Sequence, residues 1–189
     1  MKKNLHDIVD LEKYPINDLG SEKIKNLIKK CKKDLDQYSC STIPNFILPK
    51  SLELMKKELE KQLDEVYMSK ESINAYLYSS DDPNLPKDHP KRIFMKRYNG
   101  YLNSDCFPKD SEMKFLYETE ELLNFVSACL DISPIYRWAD PLACHAYNVM
   151  KTNGILPWHF DSCEFTLSIM IQKPDKGGIF EYCPNIREP

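Results

Sequence analysis

The chain has 189 residues, and its 26 Lys and Arg stand against 29 Asp and Glu, a formal net charge of −3. This near balance gives no electrostatic attraction toward nucleic acid or an anionic membrane, and no apolar run is long enough to span a bilayer. The N-terminus has no apolar segment that would direct export. We therefore expect one cytoplasmic domain over residues 1–189, with its seven cysteines reduced.

The first part of the chain, residues 1–130, is predicted to be mainly helical. A first helix is expected to begin after the N-cap residue Ser21, because apolar residues then recur at helical spacing over residues 24–35. A second helix is expected near Ser51, with an apolar stripe that continues as far as Tyr67.

A loop-rich segment is predicted over residues 79–110, where clusters of Pro, Asp, Asn and Ser break any regular period. Long loops of this kind often serve as a lid or a binding loop. Ser111 is then expected to cap a third helix, whose apolar stripe runs to Cys129.

Beyond Pro134 the pattern changes from helical to strand-like. Short strands are predicted at residues 135–138, 143–150, 164–172 and 179–182. The clearest is 164–172, in which apolar and polar residues alternate. Several short strands joined by tight turns predict an antiparallel sandwich or barrel with the helices packed outside it.

The pair of residues with the most chemical content is His159 and Asp161. On a strand, side chains two positions apart point to the same face, so this imidazole and this carboxylate should project together. Together they would supply two of the three ligands of a facial triad for Fe(II). The same spacing also occurs in ordinary hydrogen-bonded surface pairs, and that alternative stays open.

Around this pair, a set of motifs resembles the Fe(II)- and 2-oxoglutarate-dependent oxygenases. The resemblance is strongest to the group of free-amino-acid hydroxylases and radical halogenases. The motifs that carry it are YRWADPL at 136–142, NVM at 148–150, WHFD at 158–161, EFTL at 164–167, QKP at 172–174, GGIFEY at 177–182 and PNIR at 184–187. Two earlier segments, DHPKR at 88–92 and FLY at 115–117, also fit the group.

This resemblance implies an α+β fold with a double-stranded β-helix, or jelly-roll, core. Residues 131–189 would form its first strands, with the N-terminal helices as a buttress. His159 and Asp161 match the first two iron ligands of the family. Asn148 matches an asparagine that hydrogen-bonds 2-oxoglutarate in many relatives, although an ordinary strand-end amide is an equal alternative.

The implied activity is hydroxylation of a C–H bond in a small-molecule substrate, a free amino acid, with Fe(II) as the metal and 2-oxoglutarate as the cosubstrate. The related halogenases carry a small residue in place of the carboxylate. Asp161 therefore favours hydroxylation. Four charged residues near the site in sequence are candidates for binding such a substrate or for structural ion pairs: Arg92, Arg137, Asp140 and Glu164.

The sequence also departs from the family pattern. The family takes a second histidine ligand and a 2-oxoglutarate-binding basic residue from later strands, but no histidine follows His159, and Arg187 matches another element. His145 is expected to be a packed or partly exposed histidine, and His89 is expected to belong to loop structure or to a substrate lid and not to bind iron. We therefore expect a C-terminally truncated jelly roll, whose exposed strand edges would favour self-association.

Three hypotheses follow for the activity. The chain is a truncated oxygenase, a degenerate noncatalytic jelly-roll domain that binds a small molecule or a protein, or a variant enzyme that completes its site by dimerisation or with a two-ligand iron.

Overall fold

The computed structural model of the chain describes residues 3–184 and 186. It contains four α-helices and one three-stranded antiparallel sheet of order β1-β2-β3. The helices are α1 (Glu22–Tyr38), α2 (Pro49–Glu60), α3 (Glu112–Glu118) and α4 (Glu120–Leu130). The strands are β1 (Tyr67–Ile73), β2 (Met95–Leu102) and β3 (Tyr147–Val149). The mixed α+β composition is thus confirmed, and the jelly-roll core stays a prediction.

The main hydrophobic core lies between the helices. It joins apolar side chains of the N-terminal segment to those of all four helices, among them Ile8, Ile24, Met55, Leu116 and Phe125. Helix α1 packs against α4, and α3 packs against both α2 and α4. Burial of one apolar face per helix is the arrangement that helical spacing predicts. Among the described residues, no helix is both long and apolar enough to cross a membrane.

The predicted end of the second helix is wrong. Helix α2 begins at Pro49, a residue that suits the first helical position because it has no N–H to leave unpaired, and it ends at Glu60. A 3₁₀ turn, Leu63–Glu65, follows, and β1 then begins at Tyr67. Aromatic and β-branched residues fit a pleated surface, and Tyr67 pairs with Tyr101 of β2 instead of extending a helix.

Strand β2 lies within the segment that was predicted to be loop. The dipeptide Asn99-Gly100 is typical of a turn, but it lies within β2. Asn99 pairs with Ser69 on β1, and Gly100 pairs with Val149 on β3. Gly100 is required there by a close approach, because a Cβ atom at this position would lie 2.5 Å from Cγ1 of Val66.

The predicted third helix is two helices. Thr119 is extended, with φ −72° and ψ 136°, and it separates α3 from α4. The predicted cap at its start is confirmed: the Ser111 Oγ accepts a hydrogen bond from the Lys114 N–H at 3.1 Å.

Substituting Ser111 by alanine is expected to lower the free energy of unfolding by about 1 kcal/mol, because this buried hydroxyl satisfies an otherwise unpaired N–H of α3. The matched control is Ser21→Ala. Ser21 is the N-cap residue of α1, as predicted, but its hydroxyl donates to the Asp18 carbonyl and makes no cap bond. Its loss should stay within about 0.5 kcal/mol. Urea unfolding followed by circular dichroism measures both, and equal losses would contradict the cap at Ser111.

Of the four predicted C-terminal strands, only 143–150 contains a regular one, β3. Residues 135–138, 164–172 and 179–182 have no regular ladder in the described structure, so these three predictions are wrong there. Alternation marks a strand only when a partner supplies hydrogen bonds. Here Arg137 contacts the junction of α3 and α4, Ile169 and Ile171 pack against the hydrophobic core, and residues 179–182 lie open to solvent. Exposed apolar side chains such as Phe180, at 75%, are the result.

Candidate metal centre at His159 and Asp161

The segment that carries His159 and Asp161 is held at two points. Ile155 forms an isolated antiparallel bridge with Tyr98 of β2. Further along, the Phe160 N–H donates to the Ala75 carbonyl at 2.8 Å, just beyond the end of β1. The Phe160 ring also lies against that of Tyr76, with centroids 5.3 Å apart.

The two predicted ligands lie side by side. The Nε2 atom of His159 is 3.3 Å from Oδ1 of Asp161, and their side chains are 23% and 51% exposed. This contact shows that the two ligand candidates share a side of the chain, as their spacing predicted, although the segment is not a regular strand. The ring of Phe160, which lies between them in sequence, contacts Tyr76.

A backbone carbonyl determines which nitrogen of His159 carries a proton. Nδ1 lies 2.7 Å from the carbonyl oxygen of Pro157, and because a carbonyl can only accept, Nδ1 must be the donor. In the neutral ring, Nε2 then has its lone pair free, which is the form that binds metals. That lone pair faces a carboxylate oxygen, so either a proton or a cation between them makes the contact favourable.

Asp161 is oriented by a second contact. The Thr166 hydroxyl donates to its Oδ2 atom at 2.8 Å, which leaves Oδ1 toward His159. Partners of this kind hold metal ligands in place in known sites.

The geometry of the pair fits two adjacent positions around one metal ion. Bonds of about 2.0–2.2 Å from a metal to nitrogen and oxygen, at a right angle, place the two donor atoms about 3 Å apart. The distance of 3.3 Å between His159 and Asp161 is close to this value. Among residues 3–184 and 186, no group of three or more His, Cys, Asp or Glu side chains is placed to hold a metal ion.

Asn148 belongs to a different part of the sheet. It lies on β3 opposite Tyr101, and its Oδ1 accepts a hydrogen bond from Nδ2 of the buried Asn99 at 3.3 Å. Asn99 in turn accepts from Nε of Arg97 at 2.7 Å. Asn148 thus lies at the edge of a polar network that it forms with Asn99 and Arg97 on one face of the sheet.

The structure does not bring Asn148 to the pair. Phe160 adjoins Ala75, beyond the end of the sheet where Ile73 pairs with Met95, whereas Asn148 lies at the Tyr101 end. Met95 and Tyr101 lie six positions apart on β2, about 20 Å at 3.3 Å per residue. A role for Asn148 in binding 2-oxoglutarate stays a prediction.

Three of the four charged candidates make structural contacts. Arg92 forms a two-pronged ion pair with Asp81, with both nitrogen–oxygen distances at 2.8 Å, and this hydrogen bonding holds the pKa of the Asp81 carboxyl below its ordinary value. Arg137 donates to backbone carbonyls at the junction of α3 and α4. Asp140 accepts from the Leu142 N–H at 2.9 Å, and Glu164 is exposed.

The other two histidines near these elements are also placed by local contacts. His89 accepts from the Lys91 N–H and caps the 3₁₀ turn Pro90–Arg92, which is loop structure as expected. His145 packs near the Tyr117 ring, and burial lowers the pKa of its imidazole.

One positioning residue was missed in the sequence. Asn74 is 1% exposed and follows β1 directly. Its Oδ1 accepts from the N–H groups of Tyr76 and Tyr78, and its Nδ2 donates to the Lys91 carbonyl at 2.6 Å. It therefore fixes the turn whose Ala75 carbonyl holds Phe160. An asparagine after an apolar strand residue is typical of such turns and was the available signal.

Comparison of the chain with known protein families matched no family model, and comparison with curated proteins found no significant match.

Proposed function

We propose that the chain belongs to the Fe(II)- and 2-oxoglutarate-dependent oxygenases and that His159 and Asp161 are two of its iron ligands. The substrate class would be a small molecule, a free amino acid, and the reaction hydroxylation of a C–H bond. A jelly-roll core is part of this proposal. Its sequence support is the set of motifs between residues 136 and 187.

One observation of the structure supports the proposal most. The His159 Nε2 and Asp161 Oδ1 atoms converge at 3.3 Å, while the Pro157 carbonyl holds the imidazole in the tautomer that leaves Nε2 free. A neutral imidazole and a carboxylate that face each other through lone pairs form a site for a cation.

The residues around the pair have distinct tasks in this proposal. Pro157 orients the imidazole through its carbonyl, and Thr166 orients the carboxylate through its hydroxyl. The half-exposed carboxylate leaves the outer side of the pair open to small molecules. When bound, Fe(II) with 2-oxoglutarate would supply the oxidising chemistry for the C–H bond, and the protein would supply position.

Binding of Fe(II) alone tests the proposal before any substrate is known. In anaerobic titration calorimetry, we expect His159→Ala to weaken Fe(II) binding by about tenfold or more, because the ring nitrogen is a direct ligand. The matched control is His89→Ala, since the His89 side chain caps its own turn by accepting from the Lys91 N–H, and it should bind Fe(II) as the wild type does. Equal binding by wild type and His159→Ala would contradict the assignment. Succinate formation from 2-oxoglutarate, dependent on Fe(II), then tests the oxygenase chemistry itself.

A noncatalytic binding domain is the second candidate. The observation that favours it is that Asp161 already has two partners, His159 and Thr166, as a surface ion pair with a protonated imidazole would. In that case the wild type would bind no Fe(II), and His159→Ala would change only the local ion pair.

A further inference from the structure

A thiol and an imidazole meet in the turn just before β3. The Cys144 Sγ atom lies 3.1 Å from Nδ1 of His145. The same sulfur lies 3.8 Å from the Pro141 carbonyl oxygen, so the histidine is its closer hydrogen-bond acceptor. A nucleophile within hydrogen-bond reach of a base is the arrangement that activates cysteine in enzymes.

Ser104 holds this turn at two points. Its N–H donates to the Leu142 carbonyl at 2.8 Å, and its hydroxyl accepts from the His145 N–H at 2.9 Å. Ser104 is 4% exposed, so water has little access to these bonds. The ring of Tyr117 on α3 lies against the His145 ring, with centroids 5.6 Å apart. The backbone of the pair is therefore fixed, and its imidazole is supported by a second element.

The protonation of His145 suits a base. A thiol that donates to Nδ1 requires a lone pair on this nitrogen, so the hydrogen of the neutral ring is on Nε2. In the part of the chain that the structure describes, the buried Nε2 atom has no hydrogen-bond partner. Burial lowers the pKa of this imidazole and so keeps the ring neutral at neutral pH. A proton that leaves Cys144 therefore changes only Nδ1, while Nε2 keeps the hydrogen that it already carries.

The exposure of the cysteines provides a contrast. Cys144 is partly exposed, whereas Cys163 and Cys183 are fully exposed. The Cys163 sulfur lies 3.4 Å from the Thr166 hydroxyl, a group that does not take up a proton at neutral pH. Exposure alone thus favours reaction at Cys163 and Cys183, and a neighbouring base favours reaction at Cys144. The two effects predict opposite orders of reactivity.

We propose that Cys144 and His145 form a nucleophilic pair through which the chain is modified at Cys144 by α,β-unsaturated carbonyl compounds. The Cys144 sulfur attacks the β-carbon and an S–C bond forms, while the thiol proton passes to Nδ1 of His145. The electron pair of the C=C bond moves toward the carbonyl to give an enolate, and the imidazolium then returns the proton to the α-carbon. In sum, one thiol and one unsaturated carbonyl compound give one thioether, and no group leaves. A polarizable sulfur suits a carbon electrophile, and one neutral base suffices for a proton that is first removed and then returned.

N-Ethylmaleimide, a small compound of this class, tests the pair in the wild type. The full chain is treated at neutral pH for increasing times, quenched with excess dithiothreitol and mapped by mass spectrometry of its peptides. We expect Cys144 to react roughly tenfold faster than Cys163 and Cys183, although both are more exposed. In concentrated urea, which removes the fixed contact with His145, the three rates should become similar. A folded chain in which Cys144 reacts no faster than the exposed cysteines, or a preference that survives unchanged in urea, would overturn the proposal.

A variant of the histidine separates the base from the hydrogen bond. In His145→Gln the amide oxygen can still accept from the thiol but cannot take up its proton, so Cys144 should react about as slowly as Cys163. The matched control is His89→Gln, because His89 accepts from the Lys91 N–H in another loop, and Cys144 should keep its wild-type rate there. An unchanged rate at Cys144 in His145→Gln would show that the imidazole is not the base. The comparison within the wild type needs no variant to fold.

Discussion

Replacing Arg137 with leucine is expected to lower the free energy of unfolding by about 3 kcal/mol. The Arg137 guanidinium donates to the carbonyls of Tyr117 at 2.8 Å, Glu118 at 3.1 Å and Thr119 at 2.8 Å, and to the Glu120 carboxylate at 2.9 Å. Hydrogen bonds to a charged group contribute about 1.5–3 kcal/mol each but are not additive. The side chain is three-quarters buried, so solvent replaces few of them.

The loss should be large because of where these carbonyls lie. Helix α3 ends at Glu118 and α4 begins at Glu120, so the last carbonyls of α3 have no next turn to bond with. Arg137 satisfies them from one planar group. Lysine at this position keeps the charge but lacks the planar guanidinium with its several N–H donors. Arg137→Lys should therefore be more stable than Arg137→Leu but less stable than the wild type.

Urea unfolding followed by circular dichroism measures both variants of Arg137. The expected order of midpoints is wild type, then Arg137→Lys, then Arg137→Leu. Midpoints that coincide for all three proteins would show that water replaces the guanidinium without cost.

The role of Arg137 shows one limit of sequence reasoning. In the sequence it is a candidate for a substrate carboxylate or an ion pair, because a guanidinium suits both. Its partners are mostly backbone carbonyls, and these carry no signal in a sequence. The same contacts draw residues 135–138 against the helix junction, which explains why the strand predicted there does not form a ladder.

Local features were predictable and pairing was not. The helices and the Ser111 cap depend on residues within a few positions of each other, so apolar spacing and one hydroxyl identify them. Strands β1 and β2 stabilise each other across distant segments. Their shared face carries Ser69, Arg97 and Asn99, polar residues that hide the alternation expected of a strand.

The candidate site divides in the same way. The closeness of His159 and Asp161 depends on a spacing of two residues and was predictable. The position of Asn148 relative to His159 depends on the register between β3 and β2. It also depends on residues 150–154, which leave the sheet before Ile155 pairs with Tyr98 of β2. Register is a property of two segments together, so the spacing of Asn148 from His159 could not supply it.

Replacing Asn74 with alanine is expected to lower the free energy of unfolding by about 3 kcal/mol and to loosen the segment that carries His159 and Asp161. The substitution removes three hydrogen bonds at a buried position: from the Tyr76 and Tyr78 N–H groups to Oδ1, and from Nδ2 to the Lys91 carbonyl. Backbone groups left without partners inside a protein cost about 1–3 kcal/mol each.

The loosening of the candidate site should be transmitted by one hydrogen bond, from the Phe160 N–H to the Ala75 carbonyl. Asn74 holds the turn in which the Ala75 carbonyl accepts the Phe160 N–H, and Phe160 stands between the two ligand candidates. A loosened turn therefore frees the Phe160 amide. Amide hydrogen exchange of residues 158–161 measures this directly and does not depend on iron, so the result is independent of the proposed function.

The matched control for this turn is Asn74→Asp. Aspartate has the same shape and keeps the acceptor for the Tyr76 and Tyr78 N–H groups, but it loses the donor to Lys91 and places a carboxylate oxygen against that carbonyl. We expect faster exchange at Phe160 in Asn74→Ala than in Asn74→Asp, because only alanine releases the turn around Ala75. If exchange at Phe160 matches the wild type in both variants while stability falls, the segment with His159 and Asp161 is held by its bridge between Ile155 and Tyr98 instead of by Asn74.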